Sequence, residues 1–154
     1  MTPSETLAYT AKMLEALKKA KSKAVFVGLP SEKVGGEIYD GGETVITVGA
    51  THEYGAGGLP KRSFLRAPFL TKQKELNKSI AKQFESLSNG KSVDTALGLI
   101  GVVATNISKG AFVSLGYGTW KPITQFTAAK KGSNQTLIDT GTLRNSITWV
   151  IRDT

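Results

Sequence analysis

The chain contains no cysteine, so neither disulfide bonds nor thiolate metal sites can hold its fold together. Stability must come from ordinary apolar packing, and 154 residues are enough for one domain that buries roughly 70% of its unfolded surface. Hydrophobic residues make up 40% of the chain and charged residues 21%, as in typical globular proteins. We therefore expect a single domain over residues 1–154, and we exclude a rod or a chain that is disordered throughout.

The composition also limits the chemistry and the location. His52 is the only histidine, which excludes sites built from two histidines, and we expect no cofactor or metal. We find no run approaching about 18 apolar residues and no signal-peptide pattern, so we expect no membrane span and synthesis in the cytoplasm of the producing cell. The net charge of +8 is compatible with contact to nucleic acid or to an acidic protein.

The first helix is predicted over residues 3–21. Thr2 and Glu5 form a capping-box pattern around Pro3, and lysines crowd the other end, where the helix dipole favours cations. One face of this helix carries apolar residues at helical spacing, namely Leu7, Ala11, Leu14 and Leu17.

Two further helices are predicted over residues 67–87 and 92–109, because apolar side chains recur near the 3.6-residue period in both. Gly98 and Gly101 interrupt the second of them at a propensity cost of about 1 kcal/mol each, and we expect them to let another backbone approach closely.

Short β-rich runs predict strands over 24–29, 45–49 and 146–152, the first two antiparallel to each other because no crossover helix fits between them. The expected fold class is α+β, with a small antiparallel sheet packed against the three helices. The expected core comprises Leu14, Leu17, Val25, Val27, Val45, Phe69, Leu76, Ile80, Leu97, Ile100, Val103, Leu143 and Ile147.

Two glycine-rich segments, 55–60 and 110–136, read as long flexible loops. A short helical turn at 52–54 and a capped turn at 139–143 would anchor them. We expect these loops to become ordered against a neighbouring molecule, with residues 124–135 mobile in the isolated subunit.

No catalytic motif is complete. His52 and Glu53 lack the second histidine of H-E-x-x-H, because position 56 is Ala56, and the GAGGLPK run lacks phosphate-loop spacing. No G-x-S-x-G elbow occurs. We expect a protein that is not an enzyme.

Three segments resemble a known family when taken in order: VGATHEYGAGG with LPKRSFLRAPF, then WKPITQFTAAKKG, then LIDTGTLRNSITWVI. Together they are similar to the tailed-bacteriophage virion morphogenesis family, the tail-completion and head–tail joining proteins. The resemblance covers most of residues 45–151, and its last segment is the most specific.

The resemblance implies a structural virion protein at the tail end or in the neck, acting as a ring around the DNA channel. Its partners would be copies of itself in a homo-hexamer or homo-dodecamer, portal-side connector proteins, and tail-tube or tail-terminator proteins, with DNA passing non-specifically and no membrane involved. The implied subunit and partner contacts are His52, Glu53, Tyr54, Gly55, Pro60, Lys61, Arg62, Phe64, Arg66, Trp120, Lys130, Lys131, Asp139, Thr140 and Gly141.

Charge suggests how copies of the chain could meet. Residues 61–82 carry seven basic side chains against one acidic, a net +6, whereas residues 30–44 carry a net −3. We expect Glu37 and Asp40 to face a basic patch on the next copy. Lys72, Lys74 and Lys78 could instead face the DNA channel. Two other classes stay open: a basic DNA-binding accessory protein, and a small hydrolase that uses Glu53 with a metal.

Overall fold

The computed structural model of the chain describes residues 1–131, 136–137 and 141–154. Within these residues the fold is α+β, as expected, with eight helices and one two-stranded antiparallel sheet. The elements in chain order are α1 Pro3–Lys21, β1 Lys23–Gly28, α2 Ser31–Val34, α3 Val45–Tyr54, α4 Arg66–Thr71, α5 Gln73–Ser88, α6 Val93–Val113, α7 Gln125–Lys131, α8 Thr142–Ser146 and β2 Thr148–Asp153.

Helix α6 forms the centre of the molecule, since the sheet, α4 and α5 all pack against it. Two glycines let the sheet approach closely: a Cβ at Gly101 would lie 2.6 Å from the indole of Trp149, and one at Gly98 would lie 3.1 Å from it. A close approach does occur at these glycines, but the expected backbone partner is wrong, because the approaching group is the Trp149 side chain of β2.

The sheet joins the two ends of the chain. Strand β1 pairs antiparallel with β2, with Lys23 opposite Asp153 and Gly28 opposite Thr148. The predicted first and last strands are therefore confirmed to within two residues.

The predicted strand at 45–49 is wrong, because Val45–Tyr54 forms helix α3. The Thr44 side chain caps it by accepting a hydrogen bond from the Thr47 amide at 3.1 Å. Val45, Gly49 and Glu53 are buried at a spacing of four residues, so a helical face packs inward despite the β-branched composition. Gly49 allows this packing, since a Cβ there would lie 2.4 Å from Leu29.

Helix α1 has the predicted bounds, but its predicted core face is wrong. Leu14 and Leu17 are exposed, Leu14 by 52%. The helix instead packs through Met13, Ala16 and Ala20, which lie on a neighbouring face. All of residues 1–12 are exposed, so the first half of α1 extends beyond the body of the molecule.

The other predicted helices differ in extent. The helix expected over 67–87 is two helices, α4 and α5, separated at Lys72. The helix expected over 92–109 continues to Val113, which shortens the loop expected over 110–136, and α7 lies within that loop. Of its remaining residues, 132–135 lie outside the described part.

The described part of the chain has two apolar clusters. One contains Val45, Phe64, Ala111, Phe112, Trp120, Leu143 and Ile147. The other contains Ala20, Leu87, Val93, Ala96, Leu97 and Ile100. Five predicted core residues are therefore confirmed as buried, namely Val45, Leu97, Ile100, Leu143 and Ile147. Six are partly buried, namely Val25, Val27, Phe69, Leu76, Ile80 and Val103.

Helix α6 is long and apolar enough to cross a membrane by length and composition alone, which the search for unbroken apolar runs had not indicated. In the fold, 61% of its most apolar window is buried, which is typical of a core helix.

The contact between α6 and Trp149 generates a stability prediction. Substituting Gly101→Ala places a methyl group against the indole, and we expect the free energy of unfolding to fall by about 1–3 kcal/mol despite the better helix propensity of alanine. Gly36→Ala is the matched control, because a Cβ there meets nothing within 4 Å, and its effect should stay within about 0.5 kcal/mol. Chemical denaturation measures both, and equal stabilities of the two variants would contradict the packing described.

Candidate subunit interface

The segment after α3 doubles back on the helix that precedes it. Gly55 ends α3 in a left-handed conformation, with φ 77°, and a Cβ at this position would lie 2.9 Å from the backbone of Lys61. The Arg62 amide then donates to the carbonyl of His52 at 2.8 Å. The glycine-rich stretch 55–60 is therefore a closed excursion, and Gly55 is required both for its backbone angle and for the close approach of the returning chain.

Glu53 organises the returning chain. The residue is only 4% exposed, and its carboxylate accepts five hydrogen bonds. Oε1 accepts from Ser63 Oγ at 2.7 Å, from Arg66 Nε at 3.0 Å and from the Arg66 amide at 3.2 Å. Oε2 accepts from the amides of Phe64 and Leu65 at 2.8 and 2.9 Å. A single carboxylate thus fixes four consecutive residues against the end of α3.

The same carboxylate starts helix α4. A helix leaves its first amides without partners inside the helix. Here Glu53 accepts from Leu65 and Arg66, and Ser63 Oγ accepts from Ala67 at 3.0 Å. The next residue, Pro68, has no amide hydrogen to satisfy. The first turn of α4 is therefore capped from outside by residues that precede it.

These donors decide the charge state of Glu53. Burial alone would raise the pKa of its carboxyl group, but hydrogen bonds from the Leu65 amide, the Ser63 hydroxyl and Arg66 outweigh burial and hold the pKa below its ordinary value of 4.5. The group is ionised at neutral pH, and Arg66 balances its charge. The Arg66 guanidinium also lies 4.6 Å from the centre of the Tyr54 ring.

An aromatic cluster anchors the far end of this segment. The rings of Phe64 and Phe112 lie 5.4 Å apart, and those of Phe112 and Trp120 lie 5.6 Å apart, nearly perpendicular. The backbone is tied as well, because Ser108 Oγ donates to the Phe64 carbonyl at 2.7 Å and Trp120 Nε1 donates to the Ser63 carbonyl at 3.3 Å.

The C-terminal motif reaches the same cluster. Gly141 precedes α8 with φ 80°, and its carbonyl accepts from the Asn145 amide at 2.9 Å. Leu143 and Ile147 then pack in the cluster that holds Val45 and Phe64. The described parts of the three segments that resemble the phage family therefore meet in one apolar cluster.

This packing corrects the expected surface roles of several residues. Four residues that were expected to contact a neighbour are buried within the chain, namely Glu53, Arg62, Phe64 and Trp120. They support the surface residues from the interior of the molecule. The exposed residues among the expected contacts of this motif are Tyr54, Pro60, Lys61 and Arg66, of which Arg66 also pairs with Glu53. The described part of the chain does not include Asp139 and Thr140, and it does not include the side chains of Lys130 and Lys131.

Arg62 and His52 line a cavity of about 380 Å³ that also touches Tyr39, Leu137 and Leu143. Arg62 is 8% exposed, and burial lowers the pKa of its guanidinium. Its Nε has no hydrogen-bond partner among the residues that the structure describes.

Some of the acidic side chains in segment 30–44 already bind other residues of the same chain. Glu37 accepts a hydrogen bond from Ser146 Oγ, and Glu32 pairs with Arg152 at 2.7 Å. Asp40 and Glu43 remain exposed on a small hairpin, in which the Tyr39 amide donates to the Glu43 carbonyl at 2.9 Å. The acidic surface available to a neighbour is therefore narrower than the sequence suggested.

In the basic segment 61–82, some side chains likewise interact within the chain, whereas others are exposed. Arg62 is buried, Arg66 pairs with Glu53, and the ammonium group of Lys72 lies 4.8 Å from the centre of the Tyr117 ring. Lys74, Lys78 and Lys82 are exposed at a spacing of four residues along α5. They form one charged face, which we call the α5 lysine face.

Ser63 and Ser108 are the functional residues that sequence reasoning missed. Each is a small polar residue that is buried and satisfies a backbone group. The sequence position of Ser108 could have indicated its role. It falls on the apolar face of α6 between Ala104 and Ala111, where a buried hydroxyl group needs a hydrogen-bond partner.

Glu53 is poorly placed for hydrolytic chemistry. A carboxylate offers about four lone-pair sites, and five donors already address them. The described residues contain no group of three His, Cys, Asp or Glu side chains that could hold a metal ion. The arrangement is that of a structural acceptor.

The Glu53 network predicts a large stability effect. Glu53→Ala leaves buried donors without an acceptor, and we expect the free energy of unfolding to fall by about 3 kcal/mol or more at neutral pH. Glu53→Gln retains one acceptor oxygen and should lose less. Glu85→Ala, an exposed glutamate on α5, is the control and should stay within about 0.5 kcal/mol. Denaturant titration that gave Glu53→Ala the stability of the control would contradict the network.

Comparison of the chain with protein-family models, with curated proteins and with solved structures returns no match.

Proposed function

We propose that the chain is a non-enzymatic structural protein of a tailed-bacteriophage virion, forming a ring at the head–tail junction that joins tail to head around the DNA channel. The observation that carries the proposal is the convergence of the motif segments. Their described parts pack in one cluster with Phe64, Trp120 and Leu143. Segments that resemble one family in order and spacing thus also contribute to one buried cluster.

A buried cluster of this kind suits a docking protein. It holds exposed motif residues, including Tyr54 and Lys61, on a rigid base, so that a neighbour meets a preformed surface. The Glu53 network fixes the helix end from which these residues project. Preformed surfaces bind with a smaller entropic cost than loops that must become ordered on contact.

Ring assembly requires two different surfaces of one subunit to meet between identical copies. The exposed acids Asp40 and Glu43 and the α5 lysine face are of opposite charge, and the lysines have no described ion-pair partner in their own chain. Attraction between them would orient copies head to tail more than it would add affinity.

Charge reversal tests this contact. The pair Asp40→Lys with Glu43→Lys should weaken assembly at physiological salt, because it removes the attraction while leaving the Glu37–Ser146 bond intact. The control is Glu15→Lys, which makes the same type of change on exposed α1. Light scattering after size-exclusion chromatography measures the outcome, and unchanged assembly of the hairpin variant would overturn the proposed contact.

The head–tail role itself is tested in particles. Virions assembled without this polypeptide should yield separate heads and tails by electron microscopy, with infectivity restored by supplying the chain. Joined and infectious particles without it would contradict the proposal.

The α5 lysine face also supports a second candidate, a DNA-binding accessory protein. Three lysines on one helix face could contact phosphates without reading bases. This alternative predicts binding to free duplex DNA that weakens steeply with salt, and that weakens further in Lys74→Glu with Lys78→Glu. The ring proposal predicts no such binding.

A further inference from the structure

Strand β1 has one edge that is not used by its partner. The Thr154 amide donates to the Ser22 carbonyl at 2.9 Å, which sets the alternation of the β1–β2 ladder. Ala24 and Phe26 therefore exchange bonds with β2, while Val25 and Val27 direct their amides and carbonyls to the opposite side. Among the described residues, no hydrogen bond reaches the backbone of Val25 or Val27 from that side.

An apolar trough of about 390 Å³ runs beside this edge. Its floor is α6, and its walls are β1 on one side and α4 and α5 on the other, with no residue of β2 in its lining. The wall and floor side chains are all apolar: Val25, Val27, Phe69, Leu76, Ile80, Phe84, Leu97, Ile100 and Ala104. Backbone donors and acceptors thus border a surface that favours apolar side chains.

The edge of β2 is protected in a way that the edge of β1 is not. Lys33 Nζ donates to the outward carbonyl of Trp149 at 2.8 Å and lies 5.4 Å from the centre of its ring. A lysine placed on a strand edge is a common means of preventing unwanted pairing. Lys33 reaches β2 from α2, and among the described residues no side chain bonds in this way to the outward backbone groups of Val25 or Val27, which leaves β1 as the edge available for a partner strand.

The space beside β1 fits a single extended segment better than the sheet of a second copy. A third strand would lie about 4.8 Å beyond β1, above the groove between α5 and α6, whose axes are expected roughly 8–10 Å apart. In a second copy, α6 and α5 lie beneath the sheet as they do here. If its sheet paired with β1, those helices would occupy the space that α5 of the first copy already fills. A single extended segment without a helix beneath it avoids this collision.

We propose that the β1 edge binds an extended segment of another protein, with apolar side chains at alternate positions, as a third antiparallel strand. Main-chain bonds to Val25 and Val27 supply the pairing, and the alternate apolar side chains enter the trough. The inference stands apart from the head–tail role, because it depends only on the edge and the trough.

The test uses the full-length chain and a synthetic peptide, acetyl-KTVTVTVK-amide, whose valines alternate with threonines. Residues opposite Val25 and Val27 in an antiparallel pair share their face of the sheet, so the peptide valines would enter the trough. Fluorescence anisotropy of the labelled peptide should show saturable binding. A peptide that is N-methylated at its valines keeps the same apolar side chains and should bind at least tenfold more weakly.

Variants locate the site. Val25→Pro removes an outward amide without removing a bond to β2, and Ile80→Lys places a charge in the trough, so each should weaken binding at least tenfold. If the proline variant fails to fold, the peptide affinity of Ile80→Lys still tests the site. Phe26→Thr changes the opposite face of the same strand and should bind as the wild type does.

Amide hydrogen exchange gives the signature of strand pairing. In the free monomer the amides of Val25 and Val27 should exchange fast while those of Ala24 and Phe26 are protected, and the peptide should slow the first pair. Protection of Val25 and Val27 in the free monomer would show that the chain fills its own edge. Protection that appears only on self-association would assign the edge to a second copy. Either result, or no binding at millimolar peptide, would overturn the proposal.

Discussion

One buried carboxylate determines how the most unusual part of this chain is folded. Glu53 stands at the end of α3 and accepts five hydrogen bonds from four consecutive residues of the returning chain, residues 63–66. Burying a charge is costly unless it is paired and fully hydrogen-bonded, and here both conditions are met. The network starts α4, and the Phe64 ring, just before α4, enters the core with Trp120. The position of α4 against α6 therefore depends on this single side chain.

The proposed contacts of the molecule use two surfaces. On one side, the motif residues that remain exposed sit on a rigid base of buried aromatic rings, which is the basis for proposing a joining role in a virion. The second surface is the unpaired edge of β1, which borders the apolar trough between β1 and α5. The two proposed contacts differ in their interactions, since the first would use side-chain contacts and the second main-chain pairing.

The sequence was sufficient where local signals agreed with the tertiary packing. The capping box of Thr2 and Glu5 located the start of α1, and the alternation before Asp153 located β2. It failed at Val45–Tyr54, where β-branched residues favour a strand locally but burial at every fourth position requires a helix. It also failed for Leu14, because periodicity identifies an apolar face without showing whether anything covers it. The motif residues were found, yet their burial could not be foreseen, since Ser63 and Ser108 act through contacts far apart in the chain.

The ionisation of Glu53 is the most direct test of the central claim. Nuclear magnetic resonance of the side-chain carboxyl carbon, followed through an acid titration, measures the pKa of this one group. A depressed folded pKa means that the carboxylate contributes stability above the unfolded value of 4.5, and that this contribution is lost as pH falls through the folded pKa. We expect a midpoint below 4.5, with the amide signals of Phe64 and Leu65 shifting at the same pH. A midpoint at or above 4.5, with those amides unaffected, would contradict the account.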